Sequence, residues 1–447
     1  MTRNDLNQIE TIVIVMLENR SFDHQLGYLT LPPYNRTDVE GLKPEMMNSL
    51  GGADFHVFRL PSPDKKLPDD PPHDRYDISI QLTGLPGPAG PPPHPMIGFV
   101  ESYSQVRAID TSDQPMVMGY YTGQDLPATN FFVQNFGICD HWFASLPSGT
   151  QSNRLMAMAG YTRIEVNQQF LLPSHNLVYQ WLEDKKVRWR VYHRGIPFAI
   201  LIDGWHTRVL TDDHFRDYGD FQDDVLSEPD NSFPQVIFID PRFADAPHFE
   251  APTDDHPPSP AIAAQQFLLR IYSDLLVNPK RWGKTVMFVT YDEHGGFFDH
   301  VSPLPIRTEP LKAGDYPPFE STGVRVPAYI ISPFVARKSV FHGVLDHTSI
   351  LKFLGEKFGQ GSYSQAVDQR RVGNLLEALT LKPLAEPPVP PPPNAVGFVP
   401  TASPQEAIPL SFQDALAKAG AANPDAANQK FPELFSHFDP MEPTPPG

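Results

Sequence analysis

The sequence predicts an α/β fold with a mostly parallel central sheet, and three features point to it. Several short apolar runs rich in β-branched residues have the length of strands buried on both faces of a sheet. Segments with helical spacing of apolar residues lie between these runs. Polar and acidic residues directly follow the runs, as at the ligand-binding edge of an α/β sheet. The four clearest runs are Ile12–Leu17, 236–239, 285–290 and Val326–Ile331.

The first apolar run ends abruptly in polar residues. Ile12–Leu17 is followed by Glu18 and Asn19, and Asp23 and His24 lie just beyond. In open α/β sheets, ligands bind outside the carboxyl ends of the strands. A carboxylate and an amide at that place suit a metal ion or a substrate oxygen, and the plain alternative is a polar exit from a strand.

A second polar strand end follows the strand predicted at 285–290. It carries Asp292 and Glu293, then His294 and a pair of glycines that lets the backbone bend sharply beside a ligand. A strand with alternating faces is predicted at 187–192. Helices are predicted at 127–137, 153–159, 261–277 and 349–358, with a short one at 411–419.

Thr150 lies where a sharp turn meets a helix. Pro147 and Gly149 form the turn, and the strong helix-forming run 153–159 ends at Gly160. At a helix N-terminus, free backbone N–H groups and the helix dipole attract an anion such as a phosphoryl group. A hydroxyl at that point attacks phosphorus once its pKa is lowered. The alternative is a threonine that only caps the helix.

The chain is strongly acidic, with 35 Lys and Arg against 53 Asp and Glu and a net charge of −18. This balance argues against a nucleic-acid partner, since phosphates attract basic surfaces. It also argues against electrostatic docking on anionic membranes. The single cysteine, Cys139, forms no intramolecular disulfide, and its apolar neighbours predict a buried, inert thiol.

No stretch approaches the roughly 20 apolar residues of a membrane helix, so we expect no transmembrane segment. The N-terminus lacks an apolar signal core. We therefore expect a cytoplasmic protein, or a secreted or periplasmic one if a signal has been removed. The sequence indicates no oligomeric state.

Residues 1–382 are predicted to form a single α/β domain. Within it, residues 28–98 are an irregular, proline-rich insertion of the kind that often forms a lid or rim, and it contains His73 and His94. From residue 383 the composition becomes proline-rich. We expect residues 383–447 to be a tail that is packed on the core or partly disordered.

Four blocks that carry candidate chemistry follow one another along the chain: Glu18–His24, Thr150–Arg154, Asp254–Pro258 and Tyr291–His300. Together they resemble the phosphoesterase family of bacterial phospholipases C and acid phosphatases, within the alkaline-phosphatase-like superfamily. The resemblance covers about residues 10 to 360. It implies a three-layer α/β/α sandwich and hydrolysis of phosphate esters through a covalent phosphoserine or phosphothreonine intermediate.

The resemblance also assigns roles to individual residues. It implies that Thr150 is the nucleophile and His256 the general acid, with His294 as a lesser candidate. It implies one divalent metal ion (zinc, manganese, calcium or magnesium), and oxygen-rich ligands suit such an ion. The implied metal ligands are Glu18, Asn19, Thr150, Asp292 and Glu293. The implied contacts to the substrate or its leaving group are Asn19, His141, Asn153, Asp255 and His256.

One position departs from the family pattern. The family usually has a proline between the nucleophile and the Asn-Arg pair, where this chain has Ser152. We therefore expect a looser turn beside Thr150 and a different local shape of the pocket.

Three functions are consistent with these residues. The first is a phosphoric-ester hydrolase of the phospholipase C type, acting on a small phosphate ester or a phospholipid head group. The second is an acid phosphatase for soluble phosphomonoesters. The third is an inactive protein that binds a phosphate-bearing ligand, although the nucleophile and the acidic ligands are all present.

Two further sequence features bear on the substrate. A sulfatase typically needs Cys or Ser at the position where this chain has Thr150. A choline-selective site needs an aromatic cage. The candidates for such a cage are Tyr120, Tyr121, Trp142 and Trp205.

Overall fold

The computed structural model describes residues 5–173, 176–380, 386–392, 397 and 408–437. Its main feature is an eight-stranded sheet with the spatial order β8-β2-β7-β6-β1-β5-β3-β4. The strands, in chain order, are β1 Thr11–Leu17, β2 Gly137–Cys139, β3 Trp189–His193, β4 Phe215–Asp217, β5 Val236–Asp240, β6 Thr285–Tyr291, β7 Ala328–Ile331 and β8 Ser339–Phe341.

The sheet is mostly parallel, as the sequence predicts. β1 lies in its interior and pairs in parallel with β5 on one side and β6 on the other. In the β1–β6 pair Leu17 lies opposite Tyr291, so the two strands end side by side. Only β7 runs antiparallel to both of its neighbours within this sheet. The residues that follow β1 and β6 are therefore delivered to the same edge.

Helices cover both faces of the sheet, which confirms the predicted three-layer architecture. On one face, Phe288 of β6 packs against Phe353, with the two ring centroids 5.2 Å apart. On the other face, the ring of Tyr329 in β7 lies 6.0 Å from that of Phe132. Successive side chains of a strand point to opposite faces, and the register of β6 with β7 points Phe288 and Tyr329 to opposite faces of the sheet. The helices that contain Phe353 and Phe132 therefore lie on opposite sides.

The longer helices are α1 Arg75–Thr83, α2 Pro127–Asn135, α3 Thr150–Ala159, α4 Ile262–Leu276, α5 Thr348–Phe358 and α6 Leu410–Ala422. Shorter helices are Phe22–Gln25, Phe99–Tyr103, Val178–Asp184, Trp205–Thr211, Phe221–Ser227, Pro279–Trp282, Gln365–Gln369, Pro424–Lys430 and Pro432–His437. Single 3₁₀ turns are Asp5–Gln8, Gly27–Thr30, Met116–Met118, Phe198–Leu201, Tyr218–Asp220 and Leu375–Ala378. Three small two-stranded pairings join Met47–Leu50 with Ala53–His56, Phe58–Arg59 with Gly119–Tyr120, and Trp142–Phe143 with Leu345–Asp346.

The insertion at residues 28–98 is less irregular than predicted. It contains the helix α1, which begins after its N-cap Asp74 and ends at Gly84 with a left-handed φ of 76°. The carboxylate of Asp77 accepts a hydrogen bond from the Asp74 N–H at 3.1 Å, completing the first turn. The prolines of the insertion lie before and after this helix and none lies within it, so none removes one of its hydrogen bonds.

The tail predicted at 383–447 lies partly outside the described residues. Where it is described, α6 packs on the main core through Phe412 and Leu416. Asp414 accepts a hydrogen bond from the Leu171 N–H at 3.1 Å. Among the described residues, no helix combines the length and apolarity required to cross a bilayer.

Candidate active site

Glu18 and Asp292 lie side by side at the edge formed by the ends of β1 and β6. The Asp292 N–H donates to the Leu17 carbonyl at 3.1 Å, which extends the strand pairing by one residue. The Glu18 N–H donates to the Asp254 carbonyl at 2.8 Å. Both side chains are buried. The backbone of three separate segments therefore fixes the two carboxylates that the sequence predicts to share a site.

Asn19 and Glu293 follow on the same two strand ends. Asn19 has a left-handed φ of 59°, a conformation that asparagine tolerates better than most residues. A Cβ on Gly295 would lie 2.2 Å from the Asn19 carbonyl oxygen, so glycine is required there. The close approach that the glycine allows is to the Asn19 backbone, whereas the sequence suggested an approach to a ligand.

The Asn19 amide faces two histidines. Its Nδ2 lies 3.0 Å from His256 Nε2 and 3.3 Å from His73 Nε2. Neither Asn19 Oδ1 nor Glu293 Oε1 has a hydrogen-bond partner, although both atoms are buried. Buried polar atoms are rarely left without partners, so these two oxygens indicate a place for a further group.

Arg154 occupies the centre of this carboxylate cluster. Its NH2 lies 3.0 Å from Glu18 Oε1, and its Nε lies 3.2 Å from Asp292 Oδ2. The rings of Phe198 and Phe243 flank the guanidinium, with centroids 5.2 and 4.8 Å from its central carbon. Arg154 follows Thr150 by one helical turn, so α3 delivers both residues to the same edge of the sheet.

Thr150 is the first residue of α3, and Gly149 is the N-cap. The predicted C-terminal stop is confirmed, because Gly160 ends α3 with a left-handed φ of 81°. Thr150 and Glu18 line one pocket at the edge of the sheet. The other walls of this pocket are Gln151, Asn167, Phe198, Leu201, Phe243, Asp245, Ser411 and Phe412.

Asn153 builds the turn before Thr150. Its Oδ1 accepts from the Leu146 N–H at 2.9 Å, and its Nδ2 donates to the Ser148 carbonyl at 2.6 Å. The side-chain amide is thus engaged at both ends by backbone, and its predicted role as a substrate contact stays a prediction. Ser152 is buried in the first turn of α3 and donates to the Ile164 carbonyl at 3.1 Å. The turn is well held in spite of the missing proline.

The pKa values of the cluster reflect burial and a surplus of carboxylates. Burial raises the pKa of Glu18 well above its usual range, against the opposing charge of Arg154. Burial likewise raises the pKa of Asp254 to about 7. Burial alone would lower the pKa of His256, but surrounding carboxylates, Asp70 and Asp245 foremost, hold that pKa well above its usual value.

The residues present fit a divalent cation. The carboxylates of Glu18 and Asp292 pair with Arg154, whereas Glu293 directly follows Asp292 and leaves its Oε1 without a hydrogen-bond partner. The unpartnered oxygens of Asn19 and Glu293 supply the kind of ligand atoms that hard cations prefer. A bound cation would also offset the surplus negative charge that raises the pKa of His256.

Asp255 and His294 lie beside the cluster, each in a network of its own. The Asp255 carboxylate is 3.2 Å from Arg20 NH2 and accepts from the Tyr291 hydroxyl at 2.9 Å and the Gln25 amide at 2.6 Å. His294 Nε2 lies 2.7 Å from the Gln81 amide oxygen. Neither residue lines the pocket with Thr150, and their predicted catalytic roles stay predictions.

His141 does not line the pocket with Thr150, and its predicted role as a substrate contact stays a prediction. Its Nδ1 lies 2.9 Å from Asp140 Oδ1 and its Nε2 lies 3.0 Å from Glu40 Oε2. The reason is topological, because β2 lies two strands away from β6, near the edge of the sheet.

The predicted aromatic cage does not form either. Trp142 and Tyr121 are fully buried in two different core clusters. Trp205 packs edge to face against Trp189. The aromatic rings that do line the pocket are Phe198, Phe243 and Phe412.

Arg154 and Asp70 were not predicted as residues of the site, whereas His73 was predicted only as part of a lid or rim. Arg154 could have been found, since it lies four residues after Thr150 on a predicted helix. His73 reaches Asn19 from the insertion, with Asp70 3.7 Å from its Nδ1. A loop of this length carries no periodic signal that would place either residue in space.

Comparisons with known proteins support the resemblance seen in the sequence. The model of the Phosphoesterase family matches residues 9–360. Non-specific phospholipase C4 of Arabidopsis thaliana is 31% identical over 75% of this chain and 64% of its own length. Phospholipase C B of Mycobacterium tuberculosis is 30% identical over 79% of this chain and 74% of its own. The chain thus spans slightly less than two thirds of the first of these relatives.

Solved structures resemble the chain only distantly. A protein in the alkaline phosphatase superfamily from Vibrio parahaemolyticus has a TM-score of 0.34 and 13% identity, covering 58% of this chain and 64% of its own. The phosphonate monoester hydrolase of Agrobacterium radiobacter has a TM-score of 0.34 and 9% identity, covering 78% and 74%. The family assignment depends on the match at residues 9–360 alone.

Proposed function

Because the chain belongs to the Phosphoesterase family, we propose that it is a phosphoric-ester hydrolase of the phospholipase C type. The main support for this proposal is the set of residues that meet at one pocket. Thr150, at the start of α3, and Glu18, at the end of β1, line the same pocket, and Arg154 joins Glu18 to Asp292 behind it. A hydroxyl, a helix N-terminus and paired carboxylates at one point are the groups that phosphoryl transfer needs.

In the proposed first step, the Thr150 hydroxyl loses its proton to solvent water and its Oγ1 attacks phosphorus. The bond from Oγ1 to phosphorus forms while the bond from phosphorus to the alcohol oxygen breaks. His256 gives a proton to the departing alcohol. A monoester leaves a phosphothreonine, and a phospholipid leaves a phosphothreonine that still carries the head group.

In the second step, water attacks the same phosphorus and the bond to Thr150 breaks. His256 takes up a proton from this water, as the reverse of its first role. The departing threonine oxygen takes up a proton from solvent water, so the products are phosphate or the phosphorylated head group, together with the free threonine. Arg154 is a positioning residue in both steps, because it holds Glu18 and Asp292 in place.

Glu18, Asn19, Asp292, Glu293 and Thr150 would hold one divalent cation. When bound, the ion would lower the pKa of the threonine hydroxyl and offset the charge of the phosphoryl group. Its identity stays a prediction among zinc, manganese, calcium and magnesium.

The pocket walls support a substrate with an apolar organic part. Phe198, Leu201, Phe243 and Phe412 lie beside the polar groups of Thr150 and its neighbours. Such a wall favours an acyl or aromatic portion over a polar sugar. The relatives at 30% identity are named phospholipases C, which is consistent with this preference.

The test compares two substrates with the purified chain, supplied with each divalent cation in turn. We expect release of p-nitrophenol from p-nitrophenyl phosphorylcholine at a higher kcat/KM than from p-nitrophenyl phosphate. Thr150→Ala should lower kcat by at least about a thousandfold, as removal of a nucleophile does, whereas Thr150→Ser keeps a hydroxyl and should retain part of the rate.

Each contrary outcome identifies a different alternative. Preference for the monoester would favour an acid phosphatase. Binding of phosphate without turnover of either ester would favour an inactive binding protein and overturn the proposal.

A further inference from the structure

A second group of metal-binding side chains lies at the far edge of the sheet, away from the proposed catalytic residues. β2 and β8 pair in parallel with Cys139 opposite Phe341. Asp140 directly follows β2 and His342 directly follows β8, so the two residues lie beside each other. The Asp140 N–H donates to the Phe341 carbonyl at 3.3 Å. The register thus brings a carboxylate and an imidazole together, and His141 follows Asp140 directly.

The donor atoms of these three residues already converge. His141 Nδ1 lies 2.9 Å from Asp140 Oδ1, and His342 Nδ1 lies 3.0 Å from both oxygens of Asp140. One ligand atom from each residue falls within 4.8 Å of the others. Ligands bound at about 2.0–2.2 Å to zinc are themselves separated by little more than the distances seen here.

The burial of the three residues suits a site that an ion can enter. The Asp140 side chain is 1% exposed, His141 is 23% exposed and His342 is 58% exposed. The carboxylate is therefore fixed, while the outer imidazole faces solvent. The carboxylate of Glu40 lies 3.0 Å from His141 Nε2 and adds negative charge beside the group.

Among the described residues, three other groups of carboxylates and histidines converge in the same way. One of them, Asp70, His73 and His256, belongs to the candidate active site, and in the other two an arginine already pairs with the carboxylates. Arg325 occupies the cluster of Asp23, Asp299 and His300, at 3.2 Å from Asp23 and 2.9 Å from Asp299. Arg208 likewise pairs with Glu183 and Asp212 beside His214, at 2.5 Å from each carboxylate.

The carboxylate of Asp140 is paired only with histidines, among the ion pairs of the described residues. Arg325 does reach the Asp140 backbone carbonyl, at 2.9 Å, but its charge is balanced by Asp23 and Asp299.

We propose that Asp140, His141 and His342 form a binding site for a zinc ion, separate from the catalytic residues. Two imidazoles and one carboxylate select zinc over calcium or magnesium, which prefer oxygen ligands. A metal here would tie the exposed end of β8 to β2, at an edge of the sheet where β8 has only one neighbouring strand. Its role is therefore to stabilise the edge of the sheet.

The test is the zinc content and stability of the whole chain. After removal of metals and equilibration with zinc chloride, the unaltered protein should hold one more zinc ion than His342→Ala by elemental analysis. The variant should bind this ion at least about a hundredfold more weakly, since even loss of a group that only supports a ligand costs up to that factor. Zinc should raise the melting temperature of the unaltered protein more than that of the variant.

Three variants make the result decisive. His56→Ala removes an exposed histidine elsewhere and should keep the ion. Thr150→Ala should also keep it, which separates this site from the catalytic one. Asp140→Asn should lose it. Equal zinc content in the unaltered protein, His342→Ala and Asp140→Asn would overturn the proposal, whether or not the chain hydrolyses phosphate esters.

Discussion

At the scale of single residues, the most consequential side chain after Thr150 is Arg154. It is buried and forms ion pairs with both Glu18 and Asp292. Removing one partner of a buried ion pair leaves charge without compensation, which typically costs about 3–5 kcal/mol. We therefore expect Arg154→Met to lower the free energy of unfolding by about that amount, measured by urea denaturation without added metal.

A matched control is Arg307, which pairs with Glu309 and Glu320 at the surface. Exposed pairs contribute about 0–1 kcal/mol, so Arg307→Met should change stability little. Equal losses of unfolding free energy in the two variants would mean that the buried ion pairs of Arg154 contribute no more to stability than exposed ion pairs do.

His193 gives a prediction on pH. Burial, helped by the charge of Lys430, lowers the pKa of His193 to about 4 in the folded chain, against about 6.5 when unfolded. The unfolded state therefore binds a proton first as the pH falls. The stabilisation by neutral His193 is complete above about pH 6.5 and is lost progressively towards pH 4, by about 3 kcal/mol in all.

The measurement compares unfolding free energies at several pH values for the unaltered chain and His193→Gln. The variant should lose less stability between pH 6.5 and pH 4 than the unaltered chain does. An exposed histidine serves as the control, and His56→Gln should leave the pH dependence unchanged. Identical pH curves for the unaltered chain and His193→Gln would contradict the assignment.

Some residues of the site could be predicted from the sequence because strand ends are easy to recognise. Glu18 and Asp292 each follow an apolar run, and parallel pairing places them together. The contacts of Asn153 with the backbone could not be predicted, because a residue that contacts substrate and one that holds a turn have the same spacing in the sequence. The location of His141 depends on which strands are neighbours, and short-range patterns do not determine this.

At the scale of elements, α6 lies outside the matched family region yet reaches the pocket that contains Thr150 and Glu18. Phe412 of α6 forms part of the apolar wall. Phe412→Ala should lower kcat/KM for a short-chain phosphatidylcholine by about tenfold or more, as loss of several buried methylene equivalents does. The effect on p-nitrophenyl phosphate should be smaller.

Leu416→Ala is the matched control for this variant. It lies on the same helix and is buried in the core, but it does not line the pocket. It should destabilise the fold without changing the ratio of the two substrates. A similar shift in that ratio for both variants would attribute the effect to general loosening of the tail.

The elements themselves were predicted with uneven success, for physical reasons. α3 is a strong helix-forming run that ends at a glycine, and α4 is a long run with apolar residues at helical spacing. The predicted ends of both helices therefore lie within a few residues of the observed ends. α1 was missed because nearby prolines were taken as helix breakers, although none of them lies inside α1. No local signal shows where α6 docks, since docking is decided by distant surfaces.

At the scale of the whole molecule, the net charge of −18 governs approach to a membrane. An acidic protein is repelled by anionic lipid, so association with phosphatidylcholine vesicles should not increase when phosphatidylserine is added. Sedimentation with the two kinds of vesicle measures this. Stronger binding to the anionic vesicles would require a basic surface that outweighs the overall charge.

The fold class could be predicted because buried parallel strands are recognisable as continuous apolar runs. The strand order could not, since every run is equally apolar and only tertiary packing selects neighbours. The reversed direction of β7 illustrates this, because β7 is a buried apolar run like β6 and yet runs antiparallel to it.

The most direct test of the account is to trap the covalent intermediate. The chain is mixed with p-nitrophenyl phosphate, quenched with acid within the first turnovers, digested and analysed by mass spectrometry. The account predicts a phosphoryl group on the peptide that contains Thr150, and none on that peptide from Thr150→Ala. Hydrolysis by the unaltered chain with Thr150 unmodified, and with the rate retained in Thr150→Ala, would contradict it.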